Sequence, residues 1–326
     1  MCEQFGSGLS CIRVTARGPC TAVGSAAFSR VAAYTQTIFR QKDLARAVKF
    51  AARSILHWRA TQKWLGFIDG HPALSAASED IRASLADKIY RPFARRELDV
   101  AGRAILLRNH YLILTRLLPL QTLIKLTEGS KFRIAQLSGK KGQKTYSLYL
   151  GRLRGLGHHG ELTISLICSD VKGLAHLTVN CMLDEKGRTV LLLSGLKGPG
   201  FSGKEQIVCA TRDLSGLRPK RAVMEAAYSL ARFVKAERIV ATGESNLVSQ
   251  AKEKWRAKVF ADYNGFWQEF SPTRLAHGDY ELPMAPPRRS VQDVPAKKRK
   301  DWHRRATHLD AISVQVEQAL GKLAGT

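Results

Sequence analysis

The chain has 326 residues, 44% of them hydrophobic and 8% aromatic, which excludes general disorder and allows one large core or two smaller ones. Lys and Arg number 52 against 27 Asp and Glu, a formal net charge of +25. The excess is spread over residues 1–130, 131–285 and 286–326, so the body of the protein, not a tail alone, is expected to attract polyanions: nucleic acid, anionic lipid, phosphorylated glycolipid or acyl-carrier protein.

Residues 1–40 are rich in Ala, Ser, Gly and Thr and lack the charged start and compact apolar segment of a secretory leader. They read as a disordered extension or the product of a start codon placed too far upstream, and are set aside from the fold. From Gln41 to Phe67, Leu44, Val48, Ala51, Ile55 and Trp58 recur at helical spacing, with Lys42, Arg46, Lys49 and Arg53 on the opposite side. This basic amphipathic helix either lies on an anionic membrane or is an ordinary core-facing helix with a solvated face. Further helices are expected at 78–90 and 97–118, the latter stopping at Pro119, so residues 41–130 form a helical region.

The period then changes. Lys131–Ser138, Lys144–Leu150, Glu161–Cys168, Leu174–Leu183 and Arg188–Leu196 are short β-rich runs separated by glycine-containing turns, which predicts an antiparallel meander. A helix at 203–214, a turn at Ser215-Gly216, a helix from Pro219 to about Lys235, a buried strand at Ala236–Ala241 and a helix at 248–258 follow. Residues 131–285 thus read as an α+β core, compatible in layout with acyltransferases of the GNAT class, and 286–326 as a basic carboxy-terminal segment with a helix from Ala296 to Leu323. The six cysteines show no metal-ligand spacing and fit a reducing compartment. No apolar run approaches the roughly 18 residues of a membrane span, so a cytoplasmic protein is expected, with peripheral contact to the inner membrane as its closest approach.

Gly195-Leu196-Lys197-Gly198-Pro199-Gly200 lies between a strand and a helix, where backbone amides could cradle the phosphates of acyl-CoA; the alternative is a plain tight turn. His158-His159-Gly160-Glu161 joins two strands, and Glu161 is a candidate general base; the alternative is a polar hairpin rim. Arg218, Lys220 and Arg221 crowd the start of the Pro219 helix, where cations oppose the helix dipole unless an anion is bound. Asp262 stands beside Tyr263, Phe266 and Trp267, either capping a helix or acting as a second catalytic carboxylate among binding aromatics, with Trp255 and Trp302 as further members of that cluster. Lys297-Lys298-Arg299-Lys300, with Arg304-Arg305 and preceded by Pro286-Pro287-Arg288-Arg289, is either an anionic-lipid contact or a solvated face; no nucleic-acid-binding signature accompanies it.

Gly216-Leu217-Arg218-Pro219-Lys220, Ala261-Asp262-Tyr263-Asn264-Gly265-Phe266-Trp267, Tyr280-Glu281-Leu282-Pro283 and Lys297-Lys298-Arg299-Lys300-Asp301-Trp302-His303-Arg304-Arg305 occur in an order and spacing that resemble the VirK/YbjX family of Gram-negative bacteria. The resemblance covers most of residues 40 to 320. It implies an envelope role tied to virulence, outer-membrane protein placement and resistance to cationic antimicrobial peptides, with no settled reaction. Two departures stand out: Lys197 replaces the Gln of Gly-Leu-Gln-Gly-Pro, and Leu247 stands where relatives carry the His of Ser-Asn-x-x-His. The expectation is an envelope-associated protein that transfers an acyl group to a lipid or glycolipid, from acyl-CoA or an acyl-carrier protein, or a non-catalytic factor that binds anionic lipid or a partner.

Overall fold

The computed structural model describes residues 20–325 apart from 42, 141, 201, 202, 252 and 254–261. Trp255, Lys42 and most of the helix expected at 248–258 therefore lie outside the described residues, as do residues 1–19. Seven helices come first: α1 (Cys20–Arg40), α2 (Leu44–Leu56), α3 (Trp58–Gly70), α4 (Pro72–Ser75), α5 (Glu79–Lys88), α6 (Val100–Thr115) and α7 (Leu120–Glu128). The meander is β1 (Lys131–Ser138), β2 (Thr145–Gly151), β3 (Leu162–Cys168), β4 (Val171–Leu183) and β5 (Thr189–Lys197). Helices α8 (Lys204–Asp213) and α9 (Pro219–Phe233) lead to β6 (Arg238–Ala241), then α10 (Tyr263–Gln268), β7 (Thr273–Arg274), β8 (Tyr280–Leu282) and α11 (Arg299–Ala324).

The eight strands form one sheet in the order β1-β2-β3-β4-β5-β6-β8-β7. Neighbours are antiparallel except β5 and β6, which run parallel from Val190↔Arg238 to Leu193↔Ala241 because helices α8 and α9 make the crossover between them. Burial runs continuously along β5 from Val190 to Leu196, so both faces of the sheet are covered there. Helix α6 packs on β4, α9 on β3 and β4, and α11 on β1 and α9. One contiguous apolar core runs from Val31 in α1 to Leu320 in α11, with Trp64, Trp267, Tyr146, Tyr228, Phe50 and Phe93 among its largest members. The fold is α+β, and the five meander strands lie within a few residues of their expected bounds.

Two expectations for the amino-terminal part change. The fold starts before residue 41, because α1 buries Val31, Tyr34 and Ile38, and Tyr34 donates to Asp69 Oδ1 at 2.7 Å. The segment 41–67 is two helices broken at His57 (φ −112, ψ 38), and α2 buries Ala47, Phe50 and Ser54 instead of Leu44, Val48 and Ile55. Phe50 decides the facing: it is wholly buried, while Ser54 Oγ meets Tyr90 Oη at 3.0 Å and Arg46 pairs with Asp87 at 3.0 Å. The stripe with the most aliphatic residues is left outside. Strands β7 and β8 are two and three residues long, too short to show a period.

Candidate functional site

Ser215-Gly216 turns the chain between α8 and α9 with both residues in the left-handed region (φ 56 and 86), and Gly216 N–H donates to Thr211 O at 2.7 Å. Pro219 opens α9, where a residue without an N–H leaves nothing unsatisfied. This turn carries Arg218 and Arg221 to the mouth of a pocket. The segment before α11 returns alongside with Arg288 and Arg289, and α11 adds Trp302, Arg305, Leu309 and Asp310, which fall on one face at helical spacing. The pocket is open on one side and has a volume of about 730 Å³, with Gly216, Leu217, Glu269, Pro287 and Ala306 completing the lining.

Five arginines line this space together with Glu269 and Asp310. Arg218 forms a two-pronged ion pair with Glu269, and Arg288 bonds Glu225 at 2.7 Å and lies 3.6 Å from Asp310. The other three form no close ion pair among the described residues, although Glu225 and Glu269 act on Arg221 through space. Arg221 donates to Pro287 O at 2.7 Å and stacks 4.3 Å above the Phe270 ring, Arg289 donates to Asp293 O at 2.6 Å, and Arg305 has neither an ion pair nor a hydrogen bond among the described residues. Glu225 is buried, and burial raises its carboxyl above the usual range despite Arg288 and Arg221; its Oε2 has no partner among the described residues. The pocket therefore combines excess fixed positive charge with an indole and an aliphatic wall, the chemistry of a site for a polyanion with a less polar portion.

The other candidate residues are placed elsewhere. Gly195 and Lys197 belong to β5, opposite Thr178 and His176, so the glycine stretch is strand up to Lys197. Gly195 is required by packing, since a Cβ there would sit 2.7 Å from Thr178 Oγ1 and 2.9 Å from His159 Nδ1. Past Leu193, where β6 ends its pairing, Tyr263 takes the place of a strand: its hydroxyl accepts from Leu196 N–H at 3.1 Å and donates to Leu196 O at 2.7 Å. Gly198 approaches Ile207, and Gly200 turns at φ 73. Asp262 caps α10 by accepting from Gly265 N–H at 2.7 Å, and Trp267 Nε1 donates to Thr242 O at 3.0 Å within the core. Lys220 lies over the Phe266 ring at 5.5 Å. Lys297, Lys298 and Arg299 are exposed at the entry to α11, outside the pocket, and Leu247 is buried.

Glu161 sits at the centre of a second cluster. It is ion-paired to Lys88 of α5, accepts from Tyr111 Oη of α6 at 2.7 Å and lies 3.5 Å from Arg152 Nε, while its N–H donates to Asn180 Oδ1 at 3.0 Å. Burial would raise its carboxyl, but Lys88, Arg152 and His110 outweigh it and hold it at about 2. Burial pulls Lys88 down to about 8 although Glu161 opposes the change. A carboxylate so stabilised is a weak base, and it fastens the helical layer to the sheet. Lys88 and Arg152 also border a separate cleft of about 470 Å³ with Arg91, Glu128 and His158. Neither Glu161 nor Asp262 lines either of these two cavities.

Sequence reasoning singled out Arg218 and set Arg221 beside it, but kept them apart from the basic run holding Arg288, Arg289 and Arg305 and from Trp302, which the fold brings to the same pocket. The signal that would have joined them is that two of the family words meet here, Gly216-Leu217-Arg218 and Trp302 with Arg305, beside Glu269, which lies two residues past a third.

Comparison with known proteins agrees with the sequence words. The model of the family described as "Protein of unknown function (DUF535)" matches residues 40–318, and the chain belongs to that family. It is similar to uncharacterized protein YbjX of Escherichia coli (strain K12), with 28% identity over 271 residues, 82% of this chain and 81% of the relative. Two uncharacterized proteins of Haemophilus influenzae (strain ATCC 51907 / DSM 11121 / KW20 / Rd) match in part. One is 26% identical over 39% of this chain and 43% of its own length, the other 28% identical over 40% and 44%.

Proposed function

We propose that this member of the DUF535 family is a binding factor for a polyanionic component of the cell envelope, taken up in the arginine-lined pocket. The carrying observation is the five arginines that line one cavity, three of them forming no close ion pair among the described residues. Arginine suits phosphate because its planar fork donates two parallel hydrogen bonds, and a cluster of such forks favours a ligand with more than one phosphate or carboxylate. Trp302, Leu217 and Leu309 would take the less polar part, so a phosphorylated glycolipid or phospholipid headgroup is the class that fits. Such a role agrees with the envelope maintenance that the VirK/YbjX resemblance implies. In this reading the protein acts at the inner membrane as a peripheral factor, and no helix among the described residues is long and apolar enough to cross a membrane.

The test is titration calorimetry with inorganic pyrophosphate, and in a second arm with a water-soluble phosphorylated glycolipid headgroup. Arg305→Ala removes a guanidinium with no ion partner among the described residues, so stability should change by no more than about 0.5 kcal/mol. The lost charged hydrogen bonds should weaken binding by about tenfold or more. Tighter binding of the headgroup than of pyrophosphate assigns the site to lipid; equal binding assigns it to free phosphate compounds. No binding of either, or equal binding by Arg305→Ala, removes the proposal.

A further inference from the structure

Six of the eleven large apolar side chains exposed among the described residues lie on two adjoining helices: Phe28 and Phe39 of α1, and Leu44, Val48, Ile55 and Leu56 of α2. They are far from marginal, Leu44 being 62% exposed, Val48 59%, Ile55 66% and Leu56 76%. At 100° per residue Leu44, Val48 and Ile55 fall within about 40° of one another and form a single ridge along α2. At the same angle per residue the exposed Lys49 and Arg53 stand roughly 100–180° round α2 from that ridge, and the exposed Arg40 and Arg59 lie near its two ends in the chain. Between Phe28 and Ile68 there is one acidic residue, Asp43, which is occupied in capping α2 through Arg46 N–H at 2.9 Å.

This is the reverse of an ordinary surface helix, whose aliphatic stripe faces the core. In α2 the core is satisfied by Phe50, Ala47 and Ser54, and a second aliphatic stripe is left over. An exposed patch of that kind marks an interaction surface. Its surroundings name the partner by charge: cations round the helix from the ridge and near its ends, with one acid in the same stretch of sequence, repel a basic protein surface, including a second copy of this chain with its net charge of +25, and attract an anionic plane. A ridge of Leu, Val and Ile with Phe on the adjoining helix, and Lys and Arg round the helix from it and near its ends, is the chemistry of an interfacial helix, its aliphatic stripe in the acyl boundary and its cations at the headgroups.

We infer that the exposed face of α1 and α2 docks the protein onto the surface of an anionic phospholipid bilayer. The inference rests on the envelope placement proposed above but not on the arginine pocket, which is built from α9, α11 and the segment before α11.

The experiment is co-sedimentation of the full chain with phosphatidylcholine vesicles, with and without about 30 mol% phosphatidylglycerol, at low and high salt. The wild type should partition at least tenfold more strongly onto the anionic vesicles and lose most of that gain at high salt. Leu44→Ser/Val48→Ser/Ile55→Ser should cut partitioning by tenfold or more with an unchanged melting temperature, because all three side chains stand mostly in solvent. If the triple variant fails to fold, Lys49→Glu/Arg53→Glu, on exposed side chains, should give the same loss. Equal partitioning onto neutral vesicles, or by both variants, overturns the inference. So does a wild-type dimer that the triple variant turns into a monomer, since a second copy would then own the face. Pyrophosphate titrations on the same proteins separate the two proposals: these variants should keep pocket binding, and Arg305→Ala should keep vesicle binding.

Discussion

Replacing Glu161 by Gln keeps the shape of the side chain and removes the charge that neutralises two buried cations. Glu161 is 2% exposed at its side chain, and Lys88 and Arg152 are each 10% exposed. Losing one partner of a buried pair costs roughly 3–5 kcal/mol, because the remaining charge is left without solvent or partner. Part of this is relieved: Lys88 already titrates at about 8 with Glu161 beside it, so without that carboxylate it gives up its proton at neutral pH. Arg152 has no such escape, and Tyr111 loses the ionised acceptor of its 2.7 Å bond. The net expectation is a loss of about 3 kcal/mol out of the roughly 5–15 kcal/mol typical of a folded chain. Lys88→Met should cost less, about 1–2 kcal/mol, since Arg152 and Tyr111 still hold the carboxylate. The double variant should then be more stable than the sum of the two losses predicts, by about 2 kcal/mol. Urea unfolding of the four proteins at pH 7.5 measures the cycle. A Glu161→Gln protein within about 0.5 kcal/mol of wild type, or a cycle without coupling, would refute the structural role and return Glu161 to candidacy as a base.

Acid should destabilise the protein through its buried imidazoles. Burial is the main reason that His110 is held at about 4 and His159 at about 3, below the ~6.5 of an unfolded chain, so stability present above 6.5 is lost as the unfolded state takes up protons. For the two groups together the loss between pH 7 and pH 5 is on the order of 3 kcal/mol, and unchanged urea midpoints across that range would contradict it. Gly195→Ala should lower stability by about 2 kcal/mol or more, because a Cβ meets Thr178 Oγ1 at 2.7 Å and His159 Nδ1 at 2.9 Å, while pyrophosphate binding at native temperature stays unchanged. A stable Gly195→Ala protein with lost phosphate affinity would instead favour a phosphate loop. Asp262→Ala removes the α10 cap and should cost about 1 kcal/mol in thermal unfolding, and Asp262→Asn, which still caps, should recover most of it. No recovery with Asn would speak for a role of the charge itself.

The meander was legible because its strands are bounded by glycine turns such as Asp184-Glu185-Lys186-Gly187, where Gly187 adopts φ 75, and because β-branched and aliphatic runs of seven to thirteen residues exceed the length at which period can be read. The start of α9 was legible from Pro219. The facing of α2 was not: helical spacing alone weighs every aliphatic residue alike, whereas one fully buried Phe50 and a hydroxyl pair between Ser54 and Tyr90 set the orientation. The pocket was half legible. Arg218 stood out because a cation at a helix start is out of place, but Arg288 and Arg305 reach it only through the return of the chain along α9, which no local pattern encodes. Glu161 was noticed and its setting was not, since Lys88, Tyr111 and Arg152 lie 73, 50 and 9 positions away in the chain. Asp262 and Tyr263 look chemical in sequence because acids and phenols are reactive groups. In the fold each meets backbone, one capping a helix and the other standing in for a strand.

The measurement that bears most directly on the central claim is a titration of inorganic pyrophosphate followed by the side-chain Nε–Hε resonances of the arginines. Binding in the pocket predicts saturable shifts at Arg218, Arg221, Arg288, Arg289 and Arg305, with the exposed Arg299 and Arg304 unmoved, and their loss in Arg305→Ala at an unchanged melting temperature. Shifts spread evenly over exposed arginines, or none up to roughly millimolar pyrophosphate, would contradict a built polyanion site and reduce the pocket to a general surface charge.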